Sequence, residues 1–222
     1  MLLIAFFVSS SALSFYRARE KEPLAEKFAK GHRRDLAQTL ANGGVVALLA
    51  GLSQLWPQDV WFFAATGAMA AANADTWATE LGVLSPRSPR VITTGKKVDA
   101  GTSGAVTWLG GASSLGGALF IGLLGGLGLL ILGQDSVMSG VLVGAATLGG
   151  LVGSICDSLL GATVQASYWC DVCQKETESH VHRCGAPTRL VRGWRWLSND
   201  LVNAIASTAG ALFTAIVSWA VL

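Results

Sequence analysis

Apolar residues run almost unbroken through positions 1–15, 36–84, 104–166 and 198–222, and polar residues crowd the segments between them. A helix needs about 20 residues to cross a bilayer. The runs 36–84 and 104–166 therefore each hold two crossings, with turns at Trp56-Pro57-Gln58-Asp59 and Gly133-Gln134-Asp135-Ser136, and 198–222 holds one. The opening run is short for a full crossing. It lacks a basic flank ahead and an A-x-A site, and positive charge follows it, so it reads as a helix with its N-terminus outside rather than a cleaved signal. The pattern predicts an all-α, polytopic membrane protein of about six transmembrane helices. It forms a single integral membrane domain over 1–222, with a short cytoplasmic Cys/His loop at 169–197.

Charge adds sidedness. All 16 lysines and arginines fall within 17–34, 87–97 and 175–195. Basic loops stay cytoplasmic, so these three share one face, and the two turns and both termini lie on the other. A chain 51% hydrophobic and only 14% charged is not an ordinary soluble domain. Membrane lipid is its expected surrounding, and the basic face favours phosphates and anionic headgroups rather than nucleic acid. The 27 glycines, paired at Gly110-Gly111, Gly116-Gly117, Gly125-Gly126 and Gly149-Gly150, predict close helix packing and no chemistry. Oligomeric state is not legible.

Four carboxylates stand where lipid penalises them, at about 2.5 to 3.5 kcal/mol each on insertion scales: Asp75, Glu80, Asp157 and Asp200. The topology puts all four in the cytoplasmic half of the bilayer. Residues three or four apart share a helix face, which groups Asn73, Thr76 and Glu80, and separately Asp75 and Thr79, on the third span. The same spacing groups Ser154, Asp157, Gly161 and Gln165 on the fifth span, and Asn199, Asp200, Asn203 and Ser207 on the sixth. The second span adds Gln38 and Asn42. Polar groups from four helices at one depth describe a pocket open to the cytoplasm. Amides also serve as interhelical hydrogen-bonding groups, and that reading stands beside the pocket. Buried like charges repel unless a cation or proton intervenes, and a divalent metal held between carboxylates and a substrate's phosphates meets that need.

The loop at 85–104 carries Lys96 and Lys97, then Gly101-Thr102-Ser103-Gly104 just ahead of the fourth span. Small residues, hydroxyls and free N–H groups at a helix start make an anion site suited to phosphate. A basic loop entering a membrane helix is equally a topology signal. In the third basic loop, Cys170-x-x-Cys173 followed by His180-x-His182-x-Cys184 offers four soft ligands for a structural zinc. His182 is preferred over His180 because it adjoins Cys184, and a redox pair or free thiols remain the other reading. Cys156 stands alone in a span.

These stretches together resemble one family. They are Asn73-Ala-Asp75-Thr-Trp-Ala-Thr-Glu80-Leu-Gly, Ile92-Thr-Thr with Gly101-Thr-Ser-Gly104, Asp157-Ser-Leu-Leu-Gly-Ala-Thr-Val-Gln165, Asn199-Asp-Leu-Val-Asn203, and the entry Arg34-Asp-Leu-Ala-Gln38 with Ala41-Asn-Gly43. The family is the integral membrane one containing phytyl-phosphate kinase of plants and cyanobacteria and animal transmembrane protein nineteen. The likeness covers most of the chain, from about Phe7 onward. Members usually carry a further apolar segment upstream, which makes the first helix here the expected stump of a longer one.

The resemblance implies phosphoryl transfer from a nucleoside triphosphate, CTP or ATP, to a prenyl monophosphate, giving the diphosphate. A more distant similarity is to membrane CTP-dependent lipid kinases and cytidylyltransferases. On this reading Asp75 and Asp157 hold Mg2+, Asp200 assists, and Glu80 is a further ligand or a partner of the loop. Lys96, Lys97, Thr102 and Ser103 hold phosphates, and Asn42, Asn73, Asn199 and Asn203 orient phosphate oxygens or metal-bound water. The active site faces the cytoplasm. A nucleotidyltransferase acting on lipid phosphates, and an ion-coupled transporter using the carboxylates as a cation site, are the alternatives.

Overall fold

The computed structural model describes residues 1–18 and 36–221. Positions 19–35, most of the first basic segment, and the side chain of Gln38 lie outside the described residues. Six long helices follow the expected order: α1 (Leu2–Phe15), α2 (Leu36–Leu55), α3 (Asp59–Gly82), α4 (Trp108–Ile131), α5 (Ser136–Thr163) and α6 (Asn199–Val221). The turns at 56–58 and 132–135 fall where Pro57 and Gly133 interrupt the apolar pattern. Gly133 takes a left-handed φ of 82° that ends α4, and Asp135 caps α5 by accepting the Met138 N–H at 2.7 Å. Helices α4, α5 and α6 are long and apolar enough to cross a membrane, and α1 and most of α2 are shorter apolar helices.

The third helix is long but less apolar, and the others surround it. Residues Phe63 to Ala74 of α3 are all buried, against α1, α2, α4, α5 and α6. Seven of those positions are alanine, so the neighbouring backbones come close, and the approach is closest at glycines. A Cβ on Gly67 or Gly149 would overlap the Thr214 hydroxyl, and one on Gly153 would come within 2.7 Å of the Ala206 carbonyl oxygen. Thr214 donates to the carbonyls of Gly210 (2.9 Å) and Ala145 (3.3 Å), joining α5 to α6. In membranes such packing substitutes for the hydrophobic driving force available in water.

Two small sheets cap the basic-loop end of this bundle, an addition to the all-helical pattern. Strand β1 (Arg90–Val91) pairs antiparallel with β2 (Ala105–Val106). Strands β3 (Ser167–Cys170), β4 (Lys175–Thr177) and β5 (Arg189–Arg192) form a second antiparallel sheet in the order β4-β3-β5. The fourth span, expected directly after Gly104, begins four residues later. Gly104 sits at φ 74°, which no right-handed helix accommodates, with its backbone pressed on Ala162 of α5. Thr107 then caps α4, accepting the Gly110 N–H at 3.0 Å.

Sidedness is directly testable, because Lys96 and Arg189 are exposed at one end of the bundle and Asp59 and Asp135 at the other. Single cysteines at these positions in oriented vesicles are expected to react with an impermeant maleimide in two groups, 96 with 189 and 59 with 135. Labelling of positions 59 and 96 from the same side would overturn the topology.

Candidate functional site

The helix ends facing the basic loops enclose a cavity of about 740 Å³. Asp75 and Glu80 reach it from α3, Asp157 from α5 and Asp200 from α6, at the shared depth expected of them, and both faces that helical spacing separates on α3 open into it. Asn42, Asn199 and Asn203 also line it, as do Thr102 and Ser103. Lys96 and Lys97 are exposed and do not line it. Asn73 is absent from the lining as well. It is fully buried, donates to the Gly117 carbonyl at 2.8 Å and accepts from Ser9 Oγ at 3.2 Å, so it ties α1, α3 and α4 together.

A fifth carboxylate comes from outside the helices. Glu178 follows β4 and enters the cavity, where its Oε1 accepts from Ser103 Oγ at 3.0 Å and Gln165 Nε2 at 2.9 Å. Gln165 is 2% exposed and also reaches Asn199 Oδ1 at 3.5 Å. One network therefore joins the 101–104 loop, the end of α5, the start of α6 and the second sheet. The charges of Asp75, Asp157 and Glu178 act on one another. Asp157 Oδ2 is buried and has no hydrogen-bond partner among the described residues. A buried carboxylate oxygen without a donor is costly, and a bound cation removes that cost. The donor set, hard carboxylate oxygens with hydroxyls and amides nearby, suits Mg2+.

Three of the four cysteines converge beyond this cavity, and Cys156 stays within α5. Ligand atoms of Cys170, Cys173, His182 and Cys184 all lie within 4.8 Å of one another. Cys170 and Cys184 sulfurs are 3.7 Å apart, close to the roughly 3.8 Å edge of a tetrahedron with 2.3 Å Zn–S bonds. His182 Nδ1 stands 3.2 Å from Cys184 Sγ. The backbone N–H of Ala186 and the His182 ring bring the Cys184 thiol down to about 6, while hydrogen bonding to Cys184 pushes Cys173 up to about 11. A lowered Cys184 favours the thiolate form that a metal binds. His180 is directed elsewhere: its Nε2 meets Tyr168 Oη at 3.4 Å, and both residues line the large cavity.

The model of one family, described as integral membrane protein DUF92, matches residues 1–211. The chain belongs to that family. Protein PGR of Arabidopsis thaliana is 33% identical to this DUF92 chain, over 98% of the chain and 80% of its own length. An uncharacterised membrane protein of Methanocaldococcus jannaschii is 35% identical over 73% of the chain, which spans 63% of that relative. Another, from Synechocystis, is 27% identical over 95% of the chain and 70% of its own length. No solved structure matches.

Within this DUF92 fold, reasoning from helical periodicity did not find Glu178, Tyr168, His180 and Arg195, all of which line the cavity. Each lies outside the six helices, where periodicity carries no information. The one available signal for Glu178 was its place between the two halves of the Cys/His pattern, because a metal-tied loop holds its intervening side chains in fixed positions.

Proposed function

We propose that the protein is an Mg2+-dependent kinase that transfers the γ-phosphoryl group of a nucleoside triphosphate to a prenyl monophosphate. The supporting observation is the convergence of Asp75, Asp157 and Glu178 in a cavity at one end of the bundle, with Asp157 Oδ2 buried and unpaired. Resemblance to the phytyl-phosphate kinase family supplies the substrate class.

The acceptor brings its own nucleophile, a phosphate oxygen already ionised near neutral pH. No general base is required. A bond forms between that oxygen and the γ-phosphorus, the bond from γ-phosphorus to the bridging oxygen breaks, and its electron pair leaves with the nucleoside diphosphate. The obstacle is the approach of two polyanions, and positioning with charge neutralisation carries such reactions. Mg2+ supplies that neutralisation. Asp75, Asp157 and Asp200, with Glu178, would hold it, and Glu80 closes the rim. Thr102, Ser103, Asn42, Asn199 and Asn203 offer donors to phosphate oxygens. Lys96 and Lys97, outside the cavity, attract the nucleotide electrostatically. Zinc at Cys170, Cys173, His182 and Cys184 is proposed as structural, since all four positions are taken by protein.

A carrier using the same carboxylates needs polar access from both sides of the membrane. Asn73, Asp75 and Glu80 of α3 instead lie in the half nearest the basic loops, and its other half packs in the apolar core with Phe6, Leu129 and Leu142. The test is to incubate purified protein in nanodiscs with prenyl monophosphates and nucleotide labelled at either the α or the γ phosphate. Transfer of γ label to lipid, requiring Mg2+, is the expected result. Transfer of α label would assign nucleotidyl transfer, and transfer of neither would overturn the reading.

A further inference from the structure

Among the described residues, five carboxylates line the large cavity, and Arg195 is the one lysine or arginine that does. A phosphate monoester entering among those carboxylates needs fixed positive charge where no metal sits, and Arg195 provides it. We propose that Arg195 binds the phosphate of the lipid acceptor at the cavity mouth, with Trp194 and Trp196 seating it at the level of the membrane interface. This inference rests on the kinase reading above and assigns the acceptor's headgroup, rather than the nucleotide, to this residue.

The turn that presents Arg195 is firmly held. Gly193 has φ 79°, and its backbone lies so close to the Gln165 carbonyl that any Cβ would overlap it. Trp194 N–H donates to the Val164 carbonyl at 2.8 Å, and Ala166 N–H to the Leu197 carbonyl at 2.9 Å. Arg192 Nη1 donates to the Ala162 carbonyl at 2.9 Å, and Leu197 is 1% exposed. The segment is thus fastened to the end of α5 on both sides of Arg195. Arg195 itself is exposed and makes no ion pair with the described residues.

The flanking rings set the depth. Trp194 and Trp196 are stacked with centroids 5.4 Å apart, yet 53% and 65% exposed. They stand just before α6, at the same end of the bundle as exposed Trp108 at the start of α4. Trp56 and Trp219 are exposed at the opposite end. Tryptophan collects at membrane–water boundaries, so these rings mark the plane where a lipid changes from tail to headgroup. A guanidinium in that plane can take two phosphate oxygens through paired N–H donors, a geometry a lysine does not reproduce. A nucleotide has no tail to place there.

Binding, not turnover, tests this. Wild-type protein, Arg195→Gln and Arg195→Lys would be placed in phosphatidylcholine nanodiscs and titrated with farnesyl monophosphate, farnesol and Mg-CTP. Helix content and melting temperature serve as fold controls. Arg195→Gln is expected to weaken farnesyl monophosphate binding about 10- to 100-fold, the range for losing a charge-assisted hydrogen bond, and to leave farnesol and Mg-CTP unchanged. Arg195→Lys, which keeps the charge and tests the fold independently, is expected to fall between. Equal binding of farnesyl monophosphate by Arg195→Gln and wild type would overturn this inference alone, as would a loss confined to Mg-CTP. Competition by phosphatidylglycerol as strong as by farnesyl monophosphate would make the residue a general headgroup contact and overturn the assignment to the acceptor. Wild-type protein that fails to prefer farnesyl monophosphate over farnesol would overturn the kinase reading with it.

Discussion

Asp157→Asn is expected to lower Mg2+-dependent phosphoryl transfer by at least about a hundredfold, because residues that only support metal ligands already cost about 10- to 100-fold when removed. The same change should leave the fold intact. The carboxamide preserves shape while removing one of three mutually repelling charges, so melting in the presence of a chelator is expected at an equal or higher temperature than for wild type. Asp75→Asn should behave alike. Wild-type turnover in Asp157→Asn would remove that carboxylate from the site, whereas lost turnover with a lowered melting temperature would assign it a purely structural role.

The second large effect is expected at the Cys/His cluster. Protein purified without chelator should carry about one zinc per chain, and Cys173→Ser should carry none. Structural zinc sites contribute on the order of 10 kcal/mol or more to the order of their loops. Here the loop delivers Glu178 to Ser103 and Gln165, so its loss should also weaken binding at the carboxylates. Mn2+, followed by electron paramagnetic resonance as a stand-in for Mg2+, would bind less tightly to Cys173→Ser than to wild type. Zinc-free wild-type protein, or undiminished Mn2+ binding in Cys173→Ser, would separate the two sites. Glu178→Gln provides the comparison: it should keep zinc and still weaken Mn2+ binding.

Periodicity and punctuation carried much of this architecture. Pro57 and Gly133 marked the turns, and the common depth that the topology assigns to Asp75, Glu80, Asp157 and Asp200 brings all four to one cavity. What stayed hidden depends on contacts between distant segments. The delayed start of α4 comes from Gly104 meeting Ala162 across the bundle, and nothing near Gly104 in the chain announces that meeting. Glu178 and Arg195 gain their positions from the second sheet and from the turn at Gly193. Asn73 shared a face with Thr76 and Glu80 on paper, but it lies one turn deeper, where α1 and α4 close over it and its amide is used up by Ser9 and Gly117.

The glycine contacts at Gly67, Gly149 and Gly210 around Thr214 have a kinetic consequence. They lock α3, α5 and α6 together just below the carboxylates, and parting those backbones would unmake the centre of the bundle. The cavity therefore has a fixed base, and on the proposed kinase reading the nucleotide exchanges through its roof, the 90–106 segment and the second sheet beside Glu178. If turnover is limited by a motion of the protein, the motion is the opening of that roof rather than rocking of the helices. On that reading the nucleotide and the nucleoside diphosphate use one opening, on the face where the basic loops lie.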